Sequence, residues 1–147
     1  MLIAESFQRL IGRPLVASNG EPLSALSLWN APRVIVAHGT EADPVFFYGN
    51  RWALDAFEMD FAAFTRLPSR FSAEPMNREE SAALLARVTR DGYIDDYAGV
   101  RISAQGKRFR IEQAVVWNLI DAEGIVRGQA ASFDRMTPLD SGVAVAP

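Results

Sequence analysis

Leu2, Ile3, Phe7, Leu10 and Ile11 recur at spacings of three and four, which predicts a short helix with one apolar stripe ending near Gly12-Arg13-Pro14. Such a stripe needs an apolar partner. Asn19-Gly20 predicts a turn, and Pro22 through Trp29 a second short helix stopped before Pro32. The pattern then changes. Val34-Ile35-Val36 is continuous and β-branched, and after a turn with Gly39 and Asp43-Pro44 comes Val45-Phe46-Phe47-Tyr48, so the two segments suit a strand pair. Asn50 can cap a helix carrying Ala53, Leu54 and Phe57, and Asp60 a turn carrying Phe61, Phe64 and Leu67. A loop with Ser69, Arg70, Ser72 and Glu74 leads to Asn77. With Glu80 it predicts a capping box for a longer helix through Leu84, Leu85 and Val88 to Asp91-Gly92.

The last third alternates as strands do: Tyr93 to Ser103, a turn at Gln105-Gly106, Lys107 to Ile120, a turn at Ala122-Glu123-Gly124, then Ile125 to Phe133. Three consecutive strands predict a meander. In the middle strand a strict period of two places Phe109, Ile111, Val115, Trp117 and Leu119 on one face. The other face holds Arg108, Arg110 and Glu112 before turning apolar at Ala114, Val116 and Ile120. The second face therefore needs cover over half its length, and the N-terminal stripe can supply it. The expected organisation is an N-terminal helical cap at 1–32, an α+β core at 33–136 and a disordered tail at 137–147.

Composition narrows the possibilities. A chain of 147 residues that is 49% hydrophobic can fold around one core. A net charge of −3, with 15 basic and 18 acidic side chains dispersed, leaves no footprint for nucleic acid or an anionic membrane. Cysteine is absent, which excludes disulfides, thiolate nucleophiles and Cys-ligated metals. The first residues lack a basic n-region, and no apolar run approaches the roughly 18 residues of a membrane span, so the expected setting is cytoplasmic.

Two strands, several short helices and a three-stranded meander form the element order of PAS domains. More specific are His38 to Pro44, Phe47 to Asn50, Leu67 to Arg70, Ser72 to Pro75, Ile94 to Tyr97, Gly99 to Ser103, Val116 to Asp121 and Gly128 to Ala131. Together they resemble the MEKHLA family, stand-alone bacterial type, over most of the chain. That family also includes the C-terminal domain of plant class III homeodomain-leucine zipper transcription factors and is regarded as PAS-related. The resemblance implies a five-stranded antiparallel sheet, short helices on one face, and a cavity between them. Ser69 to Pro75 is also similar to the segment of light-oxygen-voltage flavin domains that carries their reactive cysteine, with Ser69 in the cysteine's place. The same comparison puts Arg101 and Ile111 where flavin-binding members have asparagines and Ala130 near their glutamine. With three polar partners lost, it implies no flavin cofactor.

No catalytic set emerges. His38 is the single histidine and has no soft partner for a metal, which makes it a hydrogen-bonding loop residue. Ser69 lacks a nucleophile elbow, and adjacent Asp95 and Asp96 point to opposite sides of a strand. The resemblance implies a ligand cavity bounded by Ser69, Arg70, Arg101, Ile111, Gln113 and Ala130, with Trp52 or Phe57 closing the helical side. Arg70 and Arg101 there suit an anionic, partly planar metabolite, or else pair with Glu74, Glu58, Asp95 or Asp96. Alternation with Val100 and Ile102 argues the opposite for Arg101, sending it outward. Function is then expected to be sensory: a small molecule binds, and the signal leaves through a homodimer contact of Leu2, Ile3, Phe7, Leu10 and Ile11 or through a separate effector protein. The alternative is a ligand-free module for protein–protein contact, with dimerisation as its activity.

Overall fold

The computed structural model describes residues 2–16, 24–73 and 78–139, except the side chains of Arg78, Glu80 and Ser81. The Asn19-Gly20 turn, the Asn77–Glu80 capping box, Glu74 and the end of the expected tail lie outside that set. Helices α1 (Leu2–Ile11) and α2 (Ala25–Trp29) precede strands β1 (Val34–His38) and β2 (Phe46–Gly49). Helices α3 (Arg51–Phe57) and α4 (Phe61–Phe64), a 3-10 turn at Ser69–Ser72 and α5 (Arg78–Asp91) follow. Strands β3 (Tyr93–Ile102), β4 (Arg108–Ile120), β5 (Val126–Phe133) and β6 (Arg135–Pro138) come last.

The fold is α+β, and its antiparallel sheet has the order β2-β1-β5-β4-β3. The five expected strands are all present, and a short sixth is added: β6 pairs with Phe109–Glu112 of β4, and the Leu139 amide donates to the Arg108 carbonyl. Pairing therefore runs past the boundary drawn at residue 136. Asn50 does more than cap α3. Its Oδ1 accepts from the amides of Ala53 and Ile35, both at 3.1 Å, while Nδ2 donates to the carbonyls of Leu28 and Arg33. One buried amide thus joins α2, β1 and α3 with every valence used. Asp60 caps α4 as expected, its Oδ1 accepting from the Ala63 amide at 2.7 Å.

The two faces of the sheet pack differently. Ile35, Ala37, Val115, Trp117, Leu119 and Ala130 meet Ile3, Ala4 and Phe7 of α1. Phe7 stands edge-on to Trp117 with centroids 4.8 Å apart, and Trp117 Nε1 donates to the Ile3 carbonyl. Buried Ser6 bonds both main-chain groups of Ile120. On the other face Val34, Val36, Phe109, Ile111, Ala114 and Phe133 meet Phe46, Phe57 and Phe64. Val116 there meets Leu84 and Val88 of α5.

This division corrects the reading of β4. Phe109 and Ile111 do not share a face with Val115, Trp117 and Leu119. Gln113 adopts φ 52°, and the pairing of Tyr97 with Ala114 and of Gly99 with Ile111 leaves β4 with an extra residue. A bulge of this kind breaks the period of two and reverses every later side chain. The polar doublet Glu112-Gln113 marks the break in the sequence.

Candidate functional site

Between the inner face of the sheet and the helices lies a cavity of about 310 Å³. Val36, Ile111, Val116, Ala131 and Phe133 line it from the strands, and Phe57, Leu84 and Leu85 from the helices. Ala42, Asp43 and Pro44 of the β1–β2 loop meet Ser69, Arg70 and Ser72 of the 3-10 turn along one side. The loop and the turn are tied together, since the Ser69 amide donates to the Pro44 carbonyl at 2.8 Å and Val45 bridges Pro68.

Of the residues expected at a ligand site, Ser69, Arg70, Arg101, Ile111 and Phe57 come together on this cavity. Ala130 also borders it. Its methyl belongs to the α1-side cluster, so the main chain makes the contact. Gln113 and Trp52 are placed elsewhere: Gln113 is exposed at the bulge, and Trp52 is 42% exposed on α3. Arg70 forms an ion pair with Asp43 at 3.0 Å, with both side chains about half exposed, and lies over the Phe71 ring at 4.1 Å. Glu58, another acid considered for the arginines, instead pairs with Lys107 and accepts from Ser103. On the expected dimer stripe Ile3 and Phe7 are buried against the chain's own sheet, while Leu2, Leu10 and Ile11 are only partly covered.

Arg101 points inward, against the simple alternation argument. Register shifts between Ile94 and Gly99 reset β3, so Tyr97, Gly99 and Arg101 share the cavity face and Arg101 sits opposite Phe109. Its Nη2 donates to Tyr97 Oη at 3.1 Å, and the guanidinium stands 5.5 Å from the Tyr97 ring centre. Gly99 makes this possible, because a Cβ there would come within 2.3 Å of Tyr97 Oη. Burial lowers the Arg101 pKa from its ordinary value, with the Tyr97 oxygen opposing.

Sequence reasoning missed a polar row across three strands. His38 pairs with Gln129 of β5, and Gln129 with Asn118 of β4. His38 stands at the end of β1 and hydrogen-bonds the Gly39 carbonyl, and its shared parity with Val34 and Val36 was the available signal that it joins the cavity face. Gln129, next to the Ala130 that the flavin comparison pointed to, is the side chain on the cavity.

A family model described as the MEKHLA domain matches residues 1–138. This chain belongs to the MEKHLA-domain family. Among its relatives is the homeobox-leucine zipper protein HOX29 of Oryza sativa subsp. indica, 26% identical over 126 residues that cover 83% of this chain and 15% of HOX29. The MEKHLA chain thus spans a small part of the curated relative it matches. Solved structures share the fold. The PAS domain of a Colwellia psychrerythraea protein has a TM-score of 0.63 at 12% identity, over 78% of this chain and 92% of its own. The light-state dimer of the fungal blue-light photoreceptor Vivid has 0.60 at 13%, over 88% and 91%. A light-oxygen-voltage domain studied with a flavin analogue has 0.56 at 16%, over 76% and 81%. The MEKHLA chain is accordingly a PAS-like domain by fold. Among the described residues no helix is long and apolar enough to cross a membrane, and no three acidic or histidine side chains gather as a metal site.

Proposed function

We propose that this chain is a PAS-like sensory domain that binds a small, largely apolar and planar molecule between its sheet and helices. Its occupancy is passed on through a dimer or partner contact. The observation that carries the reading is the cavity of about 310 Å³ in an otherwise well-packed domain, the size of small-molecule sites. An acidic group on the ligand would face Arg101, which lines the cavity beside Tyr97. Arg70 contributes less, being half exposed beside Asp43. Binding rather than turnover is favoured because the cavity's titratable groups supply no nucleophile poised beside a base. We place the cap at residues 1–32 and the sensory core from 33 to the end of β6.

A flavin does not suit these residues. The chain has no thiol for an adduct. Ile111 offers only hydrocarbon, and Gln129 Nε2 already serves Leu85, Thr89 and Asn118. Each polar group of the ring edge left orphaned would cost about 1–3 kcal/mol. Pairing through α1 would use the partly exposed edge of Leu2, Leu10 and Ile11, and the Vivid dimer is a precedent within the same fold.

Native mass spectrometry of freshly purified protein tests the reading. The expected result is a retained organic mass other than a flavin, and a dimer that dissociates when Leu10 and Ile11 are replaced by glutamate. A ligand-free mass, together with no binding of any planar aromatic acid, would replace it with the ligand-free interaction module.

A further inference from the structure

We infer that His38 is the acceptor that recognises an N–H or O–H donor on the ligand, so that the cavity selects a heterocycle or amide bearing such a group. The inference rests on the cavity reading above and adds the chemistry of one end of it. His38 is 9% exposed and lines the cavity. Its Nδ1 lies 2.9 Å from the Gly39 carbonyl. A carbonyl only accepts, so Nδ1 carries the proton, and a neutral ring then presents Nε2 as a bare lone pair. That nitrogen is buried and meets no donor among the described residues. Burial also lowers the pKa of the ring, which keeps it neutral. Buried polar atoms in native proteins are nearly always satisfied, and an unsatisfied one in a residue that lines a cavity points to a guest as the missing partner.

Gln129 adds a second acceptor beside it. Asn118 Nδ2 donates to the Val88 carbonyl, which leaves Asn118 Oδ1 to accept from Gln129 Nε2 at 3.1 Å. Gln129 Nε2 also lies 3.1 Å from the Leu85 carbonyl and 2.9 Å from Thr89 Oγ1, its two hydrogens shared among the three acceptors. The amide orientation is therefore fixed, and Gln129 Oε1 remains as an acceptor across the strand pair from His38. Two acceptors at paired positions of β1 and β5 attract an N–H and repel a carboxylate. Arg101 stands on β3, three strands from β1, so the cavity is polarised, with donors received at His38 and acids at Arg101.

The single histidine makes the test direct, because imidazole nitrogen resonances of uniformly ¹⁵N-labelled protein report His38 alone. The probes are indole, a small bicyclic N–H donor, and benzothiophene, similar in shape without the donor. The expected result is an Nδ1–H tautomer in the free protein, an upfield shift of Nε2 with indole only, and about tenfold tighter binding of indole. His38→Gln should keep the preference through its own carbonyl, and His38→Leu should bind both probes alike. Equal affinities with Nε2 unmoved, or an Nε2–H tautomer in the free protein, would overturn the assignment and leave the cavity standing. If neither these probes nor a planar aromatic acid binds wild type, the cavity reading fails and takes this inference with it. Should His38→Leu not fold, the wild-type spectra and the two probes still decide.

Discussion

On β1, β4 and β5, neighbouring residues meet opposite surroundings. Ile35, Val115, Trp117 and Ala130 face α1, while Val36, Val116 and Ala131 face the cavity. The α1 side receives Phe7 against Trp117 and a hydrogen bond from the indole to Ile3. The cavity side carries its own aromatics, Phe46, Phe57 and Phe64, yet about 310 Å³ stays open beside Val36 and Ala131. One face is closed over by α1, and the other keeps an open cavity beside its aromatic cluster. The filled face also explains why the apolar stripe of α1 is not simply a dimer surface: its centre is already spent on its own sheet.

Deleting the aromatic on the filled face should have the largest effect. Phe7→Ala is expected to lower unfolding free energy by about 3–5 kcal/mol, read from the urea midpoint, because a fully buried ring and its edge contact to Trp117 are lost together. A charged residue at Phe7 would unfold the chain rather than yield a folded monomer. Only the partly exposed Leu10 and Ile11 can report on association.

Ala130 and Ala131 are adjacent, which makes them a sharper pair. Ala130→Leu pushes into the α1-side cluster and should cost about 1–3 kcal/mol by overpacking. Ala131→Leu grows into the cavity and should change stability by less than about 1 kcal/mol while abolishing indole binding. Equal losses from the two would mean that the inner face is as full as the outer one. Denaturation and calorimetric titration of both variants check this.

Most of the fold was legible because each element carries its own signal: the stripe of α1, the caps at Asn50 and Asp60, the glycine turns between β3, β4 and β5. Strand β6 was not, since Arg135–Pro138 has one large apolar side chain and ends in proline, and it exists only because β4 offers an edge. The candidate site was legible in part. Ser69, Arg70 and Phe57 reach the cavity as expected, but strict alternation misplaced whatever lies beyond a bulge. Gln113 was put in the cavity, yet it is the bulge residue. Arg101 looked outward by local pattern, yet the shifted register of β3 turns it in. His38 was set aside because a lone histidine has no partner for catalysis or metal. The lack of a partner at Nε2 among the described residues is what makes it informative.

The smallest effect concerns how pH divides the two faces. The buried residues of the α1-side cluster include no histidine or carboxylate, whereas His38 borders the cavity. Burial depresses its folded-state pKa below the ordinary 6.5, opposed by the Gly39 carbonyl and by Glu41. For a base, a depressed folded pKa means that the unfolded chain binds the proton more readily. The contribution of a neutral His38 is therefore fully present above the unfolded pKa and is lost as pH falls below it toward the folded value. Glu58, Asp91 and Asp121, whose pKa values are also lowered, act only around and below their ordinary values of 4.5, 3.8 and 3.8. Between about pH 7 and pH 5 the histidine is thus separable from these carboxylates. Urea midpoints of wild type should decline over that range, and those of His38→Gln should decline less, the subtraction cancelling every group the two proteins share. Parallel curves would mean that His38 meets the proton as easily when folded as when unfolded, and that its lone pair is open to water.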